Sequence, residues 1–199
     1  MSKTGFETAC LHACVDSTHK LGPSLGEVAF VGRSNVGKSS LVNALCGRRS
    51  LAKSAKTPGK TRTINVYSLG EGRWIVDLPG YGFASVSMKE RVGWKYMIEE
   101  YFASRRSLKA VFMLVDAHVG ATELDRQMLA WLKSGGRPYR IIVNKIDRAA
   151  HLKLVEQRQG LAVELGVAPE HILWVSAKKG AGIKEVRGVL SGFLEGGMA

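Results

Sequence analysis

The segment GRSNVGKS, Gly32 to Ser39, sets a glycine, four residues and then Gly-Lys-Ser in a row. That spacing belongs to a loop that wraps phosphate oxygens. Successive backbone N–H groups must turn inward around those oxygens, so glycine is needed where a Cβ would block the approach. Lys38 would reach the β- and γ-phosphates as a flexible cation, and the Ser39 hydroxyl would ligate Mg²⁺. The alternative is a glycine turn beside a surface lysine. It is disfavoured because the loop follows a buried apolar run, EVAFVG, and precedes helically spaced Leu41, Val42 and Leu45.

Further along, WIVDLPG puts Asp77 at a strand end and Gly80 three residues later. An aspartate there can hold Mg²⁺ through water, while the Gly80 N–H can approach a γ-phosphate. The motif NKID, Asn144 to Asp147, follows the strand-like YRIIV. Guanine presents two adjacent donors, its ring N–H and exocyclic amine, and one carboxylate can accept both. Asp147 would therefore select guanine over adenine, with Asn144 and the Lys145 stem supporting loop and base. A simple helix cap at Asp147 is also reasonable in isolation. SAKKG, Ser176 to Gly180, tips the balance: the Ala177 N–H could donate to the guanine carbonyl and Lys178 could cover the base. A threonine in TPGKTRT would complete the Mg²⁺ shell, with Thr57, Thr61 and Thr63 all eligible on residue type alone.

These motifs need a scaffold that brings strand ends together. Apolar runs at 27–32, 64–70, 73–78, 109–116, 139–145 and 171–177 read as six strands. Helical patterns separate most of them, at 90–105, 123–133, 149–165 and from Ile183 to Phe193. The alternation predicts an α/β fold, a mostly parallel six-stranded sheet with helices on both faces. The short turn Gly70-Glu71-Gly72 makes its two flanking strands antiparallel, giving one antiparallel edge strand. Every motif then falls at a strand's carboxyl end, where ligands of such sheets bind. The aromatic residues Trp94, Tyr96, Tyr101 and Phe102 read as helix packing.

The chain has 199 residues, 45% hydrophobic and 23% charged, which excludes a wholly disordered polypeptide. Its longest apolar run, Ala110 to Val115, is six residues, far short of a membrane span. Lys and Arg total 29 against 17 Asp and Glu, a net charge of +12. Such an excess points to a polyanionic partner: nucleic acid, ribonucleoprotein or an anionic membrane surface. Arg48, Arg49, Lys53, Lys56, Lys60 and Arg62 form an acid-free run around the candidate threonines. The three cysteines, Cys10, Cys14 and Cys46, fit a reducing compartment and read as small buried thiols rather than a metal site.

FVGRSNVGKSSLVNAL, TPGKTRTIN, DLPGYGFA, VDAHVGATELDRQML and SAKKG together resemble the YihA-type (EngB) family of bacterial GTPases. That family lies in the larger P-loop group with TrmE, Era, EngA and the septins, and DLPGYGFA separates it best from its relatives. The resemblance runs from about Glu27 to Leu194, so residues 1–24 form a leader and residues 25–199 a P-loop GTPase domain. It implies binding of GTP/GDP with Mg²⁺, and a role in assembling the large ribosomal subunit or its precursor through rRNA. It further implies a link to normal division and septation. The expected location is cytoplasmic, since the amino-terminal residues MSKTGFETACLHACVDS lack the apolar stretch of a secretory signal, and the expected state is a monomer. Carried over, nucleotide contacts fall on Gly32, Arg33, Ser34, Asn35, Val36, Gly37, Lys38, Ser39 and Ser40, then on Gly59, Lys60, Thr61, Arg62 and Thr63. They continue through Asp77, Leu78, Pro79 and Gly80, then Asn144, Lys145, Ile146 and Asp147, and end with Ser176, Ala177 and Lys178. Ser39 and Thr61 become direct Mg²⁺ ligands, and Asp77 acts through water.

For hydrolysis the candidates are Lys38, Thr61 and Asn35. Ras-like enzymes place a glutamine just after Asp-x-x-Gly to orient the attacking water; here that position is Tyr81, so intrinsic turnover should be slow. K⁺-dependent relatives carry asparagine where Asn35 stands, which implies K⁺ as a source of missing charge; a turn residue with unusual backbone angles is the competing reading. A GTP-gated binding module for a protein partner is the alternative function, and an ATP-dependent phosphotransferase is disfavoured by Asp147. Asp147→Asn should weaken guanine-nucleotide binding roughly ten- to hundredfold, the worth of a charge-assisted hydrogen bond, and favour xanthine nucleotides. Titration with fluorescent GDP and XDP checks this, and unchanged guanine affinity would overturn the base assignment.

Overall fold

The computed structural model describes residues 5–52, 63–82 and 88–196. A central sheet of seven strands holds β1 (Cys10–Val15), β2 (Gly26–Gly32), β3 (Ile64–Ser68), β4 (Arg73–Asp77), β5 (Leu108–Asp116), β6 (Tyr139–Asn144) and β7 (Ile172–Trp174). They run in the spatial order β1-β3-β4-β2-β5-β6-β7. The parallel strands β2 and β5 are almost wholly buried, which is why they read as continuous apolar runs. Successive β2 residues feed opposite layers. Val28 and Phe30 pack beneath α1 (Lys38–Leu45) and α5 (Ile183–Leu194), with Leu41, Leu45, Val186 and Leu190. Ala29 and Val31 face α2 (Met88–Ser104), α3 (Glu123–Ser134) and α4 (His151–Leu165), against Tyr101, Leu129 and Leu165. A Thr122–Asp125 capping box starts α3.

The α/β architecture with helices on both faces is the one the sequence predicts, with one strand more. Residues Cys10–Val15, inside the expected leader, pair antiparallel with β3 and become the edge. The reversed strand β3 is therefore one place in from the edge, antiparallel to β1 and β4 alike. CLHACV carries no strand signal because an edge strand needs no buried alternation, and its side chains are exposed or half-buried. Cys10 and Cys14 are exposed on this strand, which corrects the expectation of buried thiols for both; Cys46 is buried. Among the described residues no three His, Cys, Asp or Glu side chains group as a metal site. Tyr101 and Phe102 pack inward as expected, but Tyr96 is exposed, and the Trp94 side chain lies outside the described residues. No described helix is long and apolar enough to cross a membrane.

One buried charge fastens β2 to α2. Glu27, fully enclosed, accepts hydrogen bonds from Ser24 Oγ, Tyr101 Oη, Ser107 Oγ and the Arg105 guanidinium. Burial pushes the Glu27 pKa up, but the bonds from Arg105, Ser24, Tyr101 and Ser107 outweigh it and hold the pKa below the ordinary value. A lowered folded-state pKa gives stability that is present above the unfolded value of about 4.3 and lost as pH falls through the folded one. Glu27→Gln leaves Arg105 buried without a counter-charge and should cost about 3–5 kcal/mol at neutral pH. Urea denaturation should show that gap narrowing in acid, as the parent protein loses the same interaction.

Candidate functional site

The turns that follow β2, β4, β5, β6 and β7 leave one edge of the sheet, the carboxyl ends of its parallel strands. The phosphate-loop candidates bridge β2 and α1, with Gly32 closing the strand and Lys38 opening the helix. Gly37 has φ of 105°, and a Cβ there would stand 2.4 Å from Asn144 Nδ2. Gly80 is constrained differently: a Cβ would lie 3.0 Å from both Lys38 Nζ and the Ser34 nitrogen. Glycine at 80 thus lets the Asp-x-x-Gly turn close onto the loop and its lysine. Two backbone bonds extend that closure, Ser34 N–H to Tyr81 O at 2.9 Å and Tyr81 N–H to Gly32 O at 3.3 Å.

Inside this closure, Ser39 Oγ donates to Asp77 Oδ2 at 3.2 Å and Lys38 Nζ lies 4.0 Å from Asp77 Oδ1. Burial pushes the Asp77 carboxyl up, against the pull of Lys38 and Ser39, and burial likewise draws the Lys38 ammonium down. Asp77 Oδ1 is buried without a hydrogen-bond partner, as is Ser34 Oγ. Tyr81 turns its hydroxyl away from this cluster and donates to buried Asp125 at 2.8 Å. Burial and the Asp125 charge push the Tyr81 pKa up, so the phenol stays protonated. The Arg33 side chain also goes to Asp125, at 3.3 Å.

The base-recognition candidates assemble around Asn144. Its Nδ2 donates to Val36 O at 3.1 Å and its Oδ1 accepts from Ala177 N–H at 3.1 Å. The N–H that the sequence aims at the guanine carbonyl therefore serves Asn144 in this structure. Lys145, with φ of 68°, donates to Asn35 O at 2.6 Å and Asp116 Oδ2 at 2.7 Å. Burial raises the Asp116 pKa, but the Lys145 and His118 hydrogen bonds outweigh it and lower it overall. Asp147 is exposed, and Ser176 Oγ donates to it at 2.5 Å; that bond holds its pKa down, so the carboxylate stays an acceptor.

Ile146 N–H reaches Val175 O at 3.3 Å and Leu78 N–H reaches Phe30 O at 3.1 Å, so both motifs are tied to neighbouring strands. Asn35 has φ of 63°, as a turn residue does. Thr63 precedes β3 and accepts from Cys14 Sγ at 3.3 Å; Thr57, Gly59, Lys60, Thr61 and Arg62 lie outside the described residues. Motif spacing alone misses three groups. Asp116 ends a buried apolar run, and that position is itself a strand-end signal. Asp125 is the fourth residue of a T-x-x-D capping box. Asn43 has no local signal, yet its amide makes two bonds to the Ala52 backbone, at 2.8 and 2.7 Å.

Over residues 27–145 the chain matches the family described as "50S ribosome-binding GTPase". It is 45% identical to the probable GTP-binding protein EngB of Thermotoga maritima, across 87% of this chain and 89% of the relative. A probable EngB of Aquifex aeolicus is 42% identical over 82% of this chain and 88% of that one. The chain belongs to the EngB family of GTP-binding proteins. As a member of the EngB family it shares the P-loop GTPase fold. A crystal structure of a probable EngB superposes at a TM-score of 0.70, with 24% identity, across 86% of this chain and all of that one. Era of Aquifex aeolicus, bound to GDP and AlF₄⁻, superposes at 0.61 with 25% identity over 86% of this chain and 57% of its own. For this EngB-family chain, Asn144→Ala removes two bonds that join separate turns and strands the Val36 carbonyl and Ala177 N–H. Urea unfolding should show a loss of about 2–4 kcal/mol, and fluorescent GDP should bind at least tenfold more weakly.

Proposed function

We propose that this protein is a GTP-hydrolysing switch that assists assembly of the large ribosomal subunit. The match over residues 27–145 to a family described by binding to the 50S particle carries this reading, on a chain of net charge +12. An Era structure holding MgGDPNP and a fragment of 16S ribosomal RNA, at 25% identity and a TM-score of 0.58, offers a parallel on a related fold. On this reading the protein works in the cytoplasm as a monomer, contacts rRNA, and has the family's link to division and septation.

GTP and GDP would lie along the carboxyl edge of the sheet. The phosphates would meet residues 32–40, 59–63 and Asp77 to Gly80. The base would meet Asn144 to Asp147 with Ser176 to Lys178. Mg²⁺ fits the chemistry at Asp77: its buried Oδ1 has no hydrogen-bond partner and its Oδ2 accepts from the Ser39 hydroxyl, an oxygen set suited to a hard cation. Ser39 and Thr61 would bind the ion and Asp77 would hold it through water. The ion would neutralise charge developing on the phosphates. Lys38 would act on the same charge. Asn35 is the residue we assign to K⁺. Tyr81, held by Asp125, does not replace a water-orienting glutamine, which supports slow turnover in the isolated protein.

Single-turnover GTP hydrolysis in K⁺ and in Na⁺, with and without purified large subunits, tests the reading alongside co-sedimentation in GTP, GDP and nucleotide-free states. Stimulation by the subunit and nucleotide-dependent co-sedimentation are expected, with faster hydrolysis in K⁺. Absence of both subunit effects would instead favour a GTP-gated module for a protein partner, and equal rates in K⁺ and Na⁺ would remove Asn35 from catalysis.

A further inference from the structure

A cleft of about 540 Å³ opens between α1 and the amino-terminal end of α5, next to the candidate base-recognition turn. Among the described residues its walls carry Lys178, Lys179, Lys184 and Arg187 and no acidic side chain, over an apolar floor of Ala44 and Ile183. The three lysines are exposed, and none pairs with a carboxylate among the described residues. Arg187 is anchored: its Nε donates to Leu45 O at 2.7 Å and Nη1 meets Glu7, itself largely exposed, at 2.9 Å. Arg187 thereby lies against the turn that leads to exposed Arg48 and Arg49. Elsewhere the chain pairs many of its cations, as in Arg105–Glu27, Lys145–Asp116 and Arg126–Glu164. The cleft thus gathers three exposed lysines without an ion-pair partner among the described residues, beside Arg187, on one concave wall.

Concave walls over an apolar floor focus the field of like charges into the cleft, which raises the local concentration of a polyanion. We infer that this cleft binds the phosphate backbone of RNA, with Lys179 and Lys184 as direct phosphate contacts and Arg187 as their fixed neighbour. Several cations spaced along one groove suit successive backbone phosphates rather than a single small anion. The inference rests on the ribosomal reading above and adds to it the face that would meet rRNA. Ala177 and Lys178 belong both to the cleft and to the turn beside Asp147, so RNA seated there would touch the base-recognition turn directly.

The test is salt-titrated fluorescence anisotropy of a fluorescein-labelled RNA hairpin with the full chain, the parent protein against Lys179→Ala/Lys184→Ala. Each phosphate contact contributes about 0.7 to 0.9 to the slope of log affinity against log salt. The double variant should bind roughly tenfold more weakly at low salt, and its slope should be flatter by about 1.5. Its affinity for fluorescent GDP should match the parent's, showing an intact fold. Parent binding with an unchanged affinity and slope in the double variant would overturn the cleft assignment alone. A parent protein that binds neither the hairpin nor large subunits would overturn the ribosomal reading, and the cleft with it.

Discussion

The candidate site depends on one buried carboxamide. Asn144 ends β6, where a strand gives way to a turn, and spends both halves of its side chain on other turns: the phosphate loop through Val36 and the 176–178 turn through Ala177. Lys145 repeats the junction one residue later, reaching Asn35 and Asp116. Three turns far apart in sequence thereby share a common geometry through protein groups alone. The sheet makes this possible by aligning the register of β5 and β6 so that Asp116 and Asn144 stand side by side. A residue type suited to a base contact is here first of all a brace between loops.

Much of this arrangement is legible in the amino-acid sequence. Six of the seven strands and the helices α1 to α5 follow from apolar runs and helical spacing, because buried parallel strands and amphipathic helices leave strong patterns. The phosphate loop is legible because its glycines answer to backbone geometry that other residues rarely adopt. Cys10–Val15 is not, since an edge strand need not bury either face. Partners across the fold are also invisible: nothing local to Asn43 marks Ala52, and nothing local to Tyr81 marks Asp125. Sequence shows which groups stand at strand ends, whereas only the packing decides which of them meet.

The electrostatic layout follows the same division. Four carboxylates, Glu27, Asp77, Asp116 and Asp125, are buried and meet Arg105, Lys38, Lys145 and Arg33, where burial makes the pairing matter most. The net positive charge of +12 lies mostly at the surface, and the cleft between α1 and α5 holds three exposed lysines of it. A single-layer sheet with helices on both sides thus places the candidate nucleotide site and the lysine-lined cleft on adjoining faces.

The double attachment of the Asp-x-x-Gly segment has a mechanical meaning. One end, Asp77, is a rung of β4; the other, Tyr81, is bolted to the first turn of α3 by its hydroxyl and to the phosphate loop by its backbone. A strip held at both ends has little freedom to slide, so Gly80 sits between two fixed points. Asp125 gathers Tyr81, Arg33 and Thr122 at one carboxylate, and so a single side chain of α3 joins the phosphate loop, the Asp-x-x-Gly segment and the start of its own helix.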